Sequence, residues 1–350
     1  MGSVKDLKAL KIAKENEMGV GRFIFSDRYS VFDWGEMPDH ITNKGAALCL
    51  MGAYCFERAE KMGIKTHYRG LVSKDETIVR IDDLEEPTNI MEVNLVRIIY
   101  PKFESGYYNY SVFDSELDSE LTNFLIPLEV IYRNGLPEGS SVFKRLERGE
   151  ISYTSLGLDH YPKPGERFEQ PIFDVSTKLE ERDRYITWKE AQAMAKLKDL
   201  ELDEIKKVLS DVNNLITETA KKANLTNEDG KIELGYGPNR ELMLVDVIGT
   251  LDECRFTFNE IHVSKEIARQ FYKTTDWYID LENAKEIAKV QRIRDWKKLC
   301  SSKPQNLDPE LKGIISQMYM STANAFLGKN IFDSPKLEEV VNSYRKWLES

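Results

Sequence analysis

Residues 231–246 read KIELGYGPNRELMLVD, two alternating arms around a Gly-Pro-Asn turn. In the outgoing arm Glu233 shares a face with Lys231; in the returning arm Asp246 shares one with Leu242 and Leu244. A turn centred near Asn239 makes Glu233 and Asp246 cross-strand neighbours, with Cβ atoms roughly 5 Å apart. Like charges so placed destabilise a hairpin unless something lies between them. A hard divalent cation that also takes phosphate oxygens is one solution. Solvent is the plainer one, since most strand carboxylates are hydrated and a one-residue slip sends one of them to the other face. The hairpin therefore sets an antiparallel sheet and leaves open a metal pair or two solvated acids.

Outward from the hairpin the pattern stays mixed. Residues 1–35 form two β-arms, and a helix spans about 45–62 between Lys44-Gly45 and Gly63. IVRIDD and VNLVRIIYP are the clearest strands of 64–100, and FLIPLEVIYRN (124–134) is another. The stretch 103–122 is acidic and aromatic, an excursion more than core. Helical periodicity runs from 187 to about 224 and resumes after Ile261, with Pro304 and Pro309 bounding a loop among the tail helices. Strands with an early helix, then helices on one side, predict an α+β fold with antiparallel sheets. No GxGxxG or GxxxxGK[ST] occurs, so neither Rossmann nor P-loop binding is supported.

Composition narrows the function. The 350 residues are 41% hydrophobic and 31% charged, the make-up of a globular protein with room for a large core. A net charge of −10 argues against a general nucleic-acid binder, but a small phosphorylated ligand needs only a few placed cations. Cys49, Cys55, Cys254 and Cys300 make no CxxC pair, and the four histidines are scattered. No apolar run reaches a membrane span and no signal-like segment opens the chain, so a cytoplasmic setting and no membrane partner are expected.

Three further clusters carry phosphate-handling chemistry. In IPLEVIYRNGLPEGSSVFKRL (126–146), Arg133 ends a strand and Gly139-Ser140-Ser141 offers amides and hydroxyls before Lys144 and Arg145. The same segment also reads as an ordinary surface turn. In QPIFDVSTKLEERDRY (170–185), Lys178 sits between Asp174 and Asp183, either opposite phosphates or simply exposed. In SDRYSVFDWG, Asp27, Arg28, Ser30 and Asp33 crowd a turn that their own side chains can build.

In this order the clusters resemble one family, phosphoribosylaminoimidazole-succinocarboxamide synthase (SAICAR synthetase). SDRYSVFD is similar to its [ST]DR-x-S-x-FD, with KG following. PLEVIYRN with a later GS is similar to P-x-E-x-x-x-R-N/G then A-G-S. PIFDVSTKLEERD, DGKIELG and VDVIGTLDECRF resemble its remaining three motifs. The matches span roughly 1–270.

The resemblance implies a fold related to ATP-grasp enzymes. It divides the chain into a small β-rich lobe (1–125, with an insertion at about 74–122), a larger α+β lobe (126–270) and a helical tail (271–350). The tail is expected to pack on the large lobe or mediate assembly, which leaves a homo-oligomer open. The implied reaction uses ATP and Mg2+ to phosphorylate the carboxylate of carboxyaminoimidazole ribotide, and the amine of L-aspartate then displaces phosphate. By resemblance Glu233 and Asp246 are the magnesium carboxylates, and Lys178 lies at the nucleotide phosphates. Arg133, Ser140 and Arg255 take the ribotide phosphate; Asp229 and Lys231 face the imidazole. Adenine lies against Pro127, Leu128 and Glu129, held partly by backbone bonds.

Departures matter too. The N-terminal G-K-x-[RK] becomes Gly2-Ser3-Val4-Lys5, so Lys5 is the candidate over the phosphates and Arg22 of GVGR the competitor. Val247 stands where a third acid is usual, Leu251 replaces a proline, and Arg182 replaces a histidine. Asp33 and Lys44 are the candidates for aspartate. Two other readings remain: a small-molecule kinase of related fold, and an ATP-binding scaffold impaired in catalysis, which Ser3 and Val247 motivate.

Overall fold

The computed structural model describes residues 4–104, 106–114, 121–181, 183–291, 293 and 295–350; Ser3 and Arg182 lie outside the described residues. A hairpin of β1 (Lys5–Lys11) and β2 (Gly19–Phe25) opens the chain, followed by α1 (Lys44–Lys61). With β3 (Tyr68–Val72), β4 (Ile78–Val79) and β5 (Ile90–Leu95) it makes an antiparallel sheet in the order β1-β2-β5-β3-β4. β2 is buried at every second residue, the signature of one face on a core. Gly45 begins α1 against the end of β2, where a Cβ would stand 2.6 Å from the Phe25 carbonyl oxygen.

The excursion folds back as a small ribbon, β6 (Lys102–Glu104) with β7 (Tyr107–Asn109). β8 (Phe124–Leu136), α2 (Ser141–Glu147) and β9 (Glu166–Thr177) follow, then α3 (Trp188–Ala195) and α4 (Asp199–Lys222). The helical expectation for 187–224 holds. α4 carries Asp199 and Glu201 in its first turn and Lys221 and Lys222 in its last, as the helix dipole favours. β10 (Thr226–Tyr236), β11 (Leu242–Val245), β12 (Cys254–Phe258) and β13 (Ile261–His262) complete a second antiparallel sheet. Its order is β13-β12-β10-β8-β9, with β11 beside β10. The chain ends in α5 (Glu266–Lys273), α6 (Asp276–Gln291), α7 (Pro309–Leu327) and α8 (Leu337–Glu349).

Two strands are shorter than their sequence suggests. In IVRIDD only Ile78 and Val79 pair, because the Ile81 amide turns to the Glu57 carboxylate at 2.9 Å. In VNLVRIIYP the strand stops at Leu95. Arg97 then bonds to the second sheet instead, its amide to Asn123 at 3.0 Å and its carbonyl from Leu125 at 2.8 Å. Leu244 makes a similar link, donating to Lys65 and accepting from His67, both at 2.9 Å. Backbone hydrogen bonds thus join the sheets along the seam.

The tail is part of the core. Leu311, Ile315, Met318 and Tyr319 of α7 are buried in the same apolar cluster as Phe25, Met51 and Leu244. Asp308 caps α7 by accepting from Leu311 at 2.9 Å, Pro309 fills its first turn, and Gly328 ends it in the left-handed region. Trp34 packs on Trp277 and Trp296, which pins the loop after β2 to α6 and the segment following it. Deleting residues 305–350 should therefore give a protein that aggregates or binds ANS without a cooperative melt. A soluble truncation with an unchanged Tm would contradict this packing.

Candidate functional site

Seven acidic and basic side chains from six chain segments meet where the sheets join. Lys178, just past β9, lies 2.6 Å from Glu233 and 3.1 Å from Glu129. Lys231 lies 2.8 Å from the same Glu129 oxygen and 3.3 Å from Glu253. Lys5, at the start of β1, lies 2.5 Å from Asp246 and over the Phe23 ring. The competitor Arg22 points elsewhere, to Glu76 and Glu92. Of the two placements, Lys5 is the one at the carboxylates.

The hairpin register differs by one residue from the sequence expectation. Val245, not Asp246, opposes Glu233. Asp246 has already left β11 in a left-handed conformation (φ 61°), so it reaches Glu233 from beyond the strand rather than across it. His67 supports this bend, its Nε2 lying 3.1 Å from the Asp246 carbonyl oxygen, and burial pushes its pKa down to about 4. The two carboxylates still feel each other. Burial and the Asp246 charge push Glu233 up to about 8, whereas Lys5 and Lys178 overcome burial and hold Asp246 well below the usual carboxylate range. Lys178 is raised despite burial, chiefly by Glu233. Among the described residues no group of three His, Cys, Asp or Glu converges as metal ligands.

A second cluster lies further along β8 and β10. Arg133 reaches Asp174 at 3.0 Å and Asp229 at 3.4 Å, and Arg255 reaches Asp229 at 2.8 Å. Arg145 also pairs with Asp174 at 2.5 Å and lies over the Tyr185 ring. Asp229 stays ionised against its burial because both arginines hold it. Ser140 is buried as the N-cap of α2, and Ser141 donates to Tyr185 at 2.8 Å. The Arg133 Nε is buried and makes no hydrogen bond among the described residues. A cavity of about 960 Å³ opens beside this cluster, lined in part by Ser141, Lys144, Arg145, Asp183 and Tyr185.

β8 is an interior strand at Pro127 to Glu129. Pro127 accepts from the Lys178 amide at 3.1 Å, Leu128 pairs with Thr177, and Glu129 pairs with Ser176 and Glu233. The Glu129 side chain joins the lysine–carboxylate cluster. Asp33 lies on an exposed left-handed turn, ion-paired to Lys285 at 3.1 Å and close enough to Asp183 to help raise its pKa.

Lys44 is wholly buried, not open to solvent, and lies 2.7 Å from Asp252. Asp27, grouped with Asp33 in the sequence, caps the approach to α1 by accepting from the Gly45 and Asn43 amides. Arg145, read in the sequence beside the Gly-Ser turn, borders the site, as do Glu253, Lys265 and Arg269, which were not singled out. The other three are brought in by β12 and α5.

Together, fold and site have the make-up of a phosphate-handling α+β enzyme. The SAICAR synthetase family model matches residues 4–99 and 111–287. An Archaeoglobus fulgidus relative, provisionally named phosphoribosylaminoimidazole-succinocarboxamide synthase, is 46% identical over 349 residues, 100% of each chain. The Thermoplasma volcanium phosphoribosylaminoimidazole-succinocarboxamide synthase is 31% identical, covering 75% of this chain and 81% of its own. The fold is similar to that of the Saccharomyces cerevisiae SAICAR synthase solved with SAICAR (TM-score 0.61, 20% identity, 94% of each chain). It is also similar to a type-2 SAICAR synthetase solved with ADP (TM-score 0.53, 18% identity, 87% of this chain and 99% of the other).

The chain belongs to the SAICAR synthetase family, the ATP-dependent ligases that join aspartate to carboxyaminoimidazole ribotide in purine biosynthesis.

The Lys44–Asp252 pair makes a stability test. Lys44 overcomes burial and brings Asp252 down to about 2 from the usual 3.8. A depressed carboxylate contributes stability that is complete above its unfolded pKa and is lost as pH falls through the folded one. Asp252→Asn should cost about 3–5 kcal/mol at pH 7, because it leaves a buried ammonium without its partner. Urea melts should also show a shallower acid loss than the unsubstituted protein between pH 3.8 and about 2. A cost below about 1 kcal/mol would contradict the pairing.

Proposed function

We propose that Glu233 and Asp246 hold magnesium with the phosphates of ATP, and that Lys178 and Lys5 serve as cationic clamps on those phosphates. The observation that carries this reading is the pairing itself. Each carboxylate is countered by one lysine from a different chain segment, and Glu233 is driven toward protonation by its neighbour. A dication relieves that conflict, and its departure leaves each acid a lysine partner. Two carboxylates suit a hard cation whose remaining positions are filled by phosphate and water oxygens. When bound, magnesium neutralises the charge that develops on the transferred phosphoryl group.

The remaining steps use the chain's own groups. Arg133 and Arg255, with Ser140 at the Gly-Ser turn, take the ribotide phosphate; their anchors Asp174 and Asp229 hold both guanidinium groups in place. Lys231 faces the imidazole between Glu129 and Glu253. A ribotide carboxylate oxygen takes the γ-phosphoryl group, which gives an acyl phosphate and ADP. The aspartate amine then attacks the carbonyl carbon, loses a proton, and phosphate leaves. Adenine occupies the seam between the sheets, as in ATP-grasp enzymes, with residues 1–125 and 126–270 as the two lobes and 271–350 as the tail. The setting is cytoplasmic.

Purified protein with MgATP and ribotide should release ADP in an aspartate-dependent manner; release that ignores aspartate would favour a kinase. Glu233→Gln and Asp246→Asn should each lower kcat by about 10²-fold or more, the scale of losing preorganised charge stabilisation. Near-native turnover in both would overturn the metal assignment. Arg255→Ala should raise the ribotide KM with little change in kcat, the pattern of a lost ground-state contact.

A further inference from the structure

The cations bordering the site are almost all neutralised from within the protein. Lys5 has Asp246, Lys178 has Glu129 and Glu233, and Lys231 has Glu129 and Glu253. Arg133 and Arg255 share Asp229, and Arg269 has Glu266. Lys265, at the start of α5, differs. Its ammonium donates to the Asp252 backbone carbonyl at 2.8 Å, and among the described residues no carboxylate lies within ion-pairing distance of it. Asp252 is its near neighbour, yet that carboxylate is taken. Oδ2 accepts from Lys44 at 2.7 Å and Oδ1 accepts from the Tyr319 hydroxyl at 2.9 Å. Lys44 and Tyr319 are both fully buried, so these bonds are shielded from water.

Tyr319 lies on α7, beyond residue 287 where the family match ends. We infer that Tyr319 is a positioning residue for the ligase reaction: by completing the Asp252 carboxylate it keeps the Lys265 ammonium free to bind a carboxylate of the amino-acid substrate. This rests on the ligase reading above. An ammonium has three N–H donors and Lys265 uses one on protein. A partly buried cation without a counter-charge is unfavourable until a ligand supplies one. Burial, Arg269 and Lys231 depress the Lys265 pKa and outweigh the nearby charges of Asp252 and Glu253, neither of which pairs with it directly. L-Aspartate brings two carboxylates, whereas the phosphates of the other substrates have Lys5, Lys178 and the arginines. Loss of the tyrosine hydroxyl frees Oδ1, the acceptor best placed to draw Lys265 away.

The test is steady-state kinetics on the full chain with MgATP and ribotide saturating and L-aspartate varied. Tyr319→Phe should raise the aspartate KM about tenfold, the scale of one redirected charge-assisted bond, while the ATP KM stays within about twofold. Lys265→Met should raise it further, Lys265→Arg should restore part of it, and the double variant should be no worse than Lys265→Met alone, because both act through one ammonium. An unchanged aspartate KM in Tyr319→Phe, or equal KM increases for all three substrates in step with a lowered Tm, overturns the inference while leaving the ligase reading intact. If Tyr319→Phe fails to fold, Lys265→Met alone decides: an unchanged aspartate KM there overturns it. ADP release that does not depend on aspartate in the unsubstituted protein would overturn both.

Discussion

The molecule depends on holding two carboxyl groups, the buried Glu233 and the half-buried Asp246, close together where its sheets meet. Burial and mutual repulsion push Glu233 toward protonation, and the chain delivers a lysine to each acid. Lys5 comes from the first strand and Lys178 from just after β9, so the charge balance needs both sheets in register. The backbone links at Leu244 and Arg97 fix that register. A left-handed Asp246, held through its carbonyl by His67, then turns the second carboxylate inward. Topology, backbone strain and electrostatics converge on one spot, where strained conformations tend to gather when they serve function.

The same logic runs through the arginine cluster. Arg133, Arg145 and Arg255 are buried or nearly so, and each is tied to Asp174 or Asp229. Such pairs add little net stability, since desolvation offsets most of the attraction. Their value is placement. The two aspartates fix the three guanidinium groups, and Arg145 lines the large cavity beside them.

Much of this was legible in the sequence, for reasons that can be named. Alternation around residues 231–246 exposed the hairpin, and helical periodicity exposed α1 and α4, because one-sided burial writes its period into the chain. Lys5, Lys178, Arg133 and Arg255 lie within motifs and are found in the two clusters. The failures also have causes. Periodicity cannot resolve a register to one residue, so the exit of Asp246 from the strand was missed. That β8 is an interior strand between β9 and β10 is likewise a non-local fact. The Asp33–Lys285 ion pair joins residues far apart in the chain, which no local pattern shows. The roles of Lys265 and Tyr319 were invisible because their partner, Asp252, is far from Tyr319 in the chain and is shared with Lys44.

Anomalous diffraction from crystals grown with Mn2+ and ADP would probe the central pair most directly. One manganese peak is expected between Glu233 and Asp246, about 2.2 Å from an oxygen of each, with Lys5 and Lys178 moved from the carboxylates to the phosphates. A peak elsewhere, with the Lys5–Asp246 and Lys178–Glu233 pairs intact beside bound ADP, would contradict it.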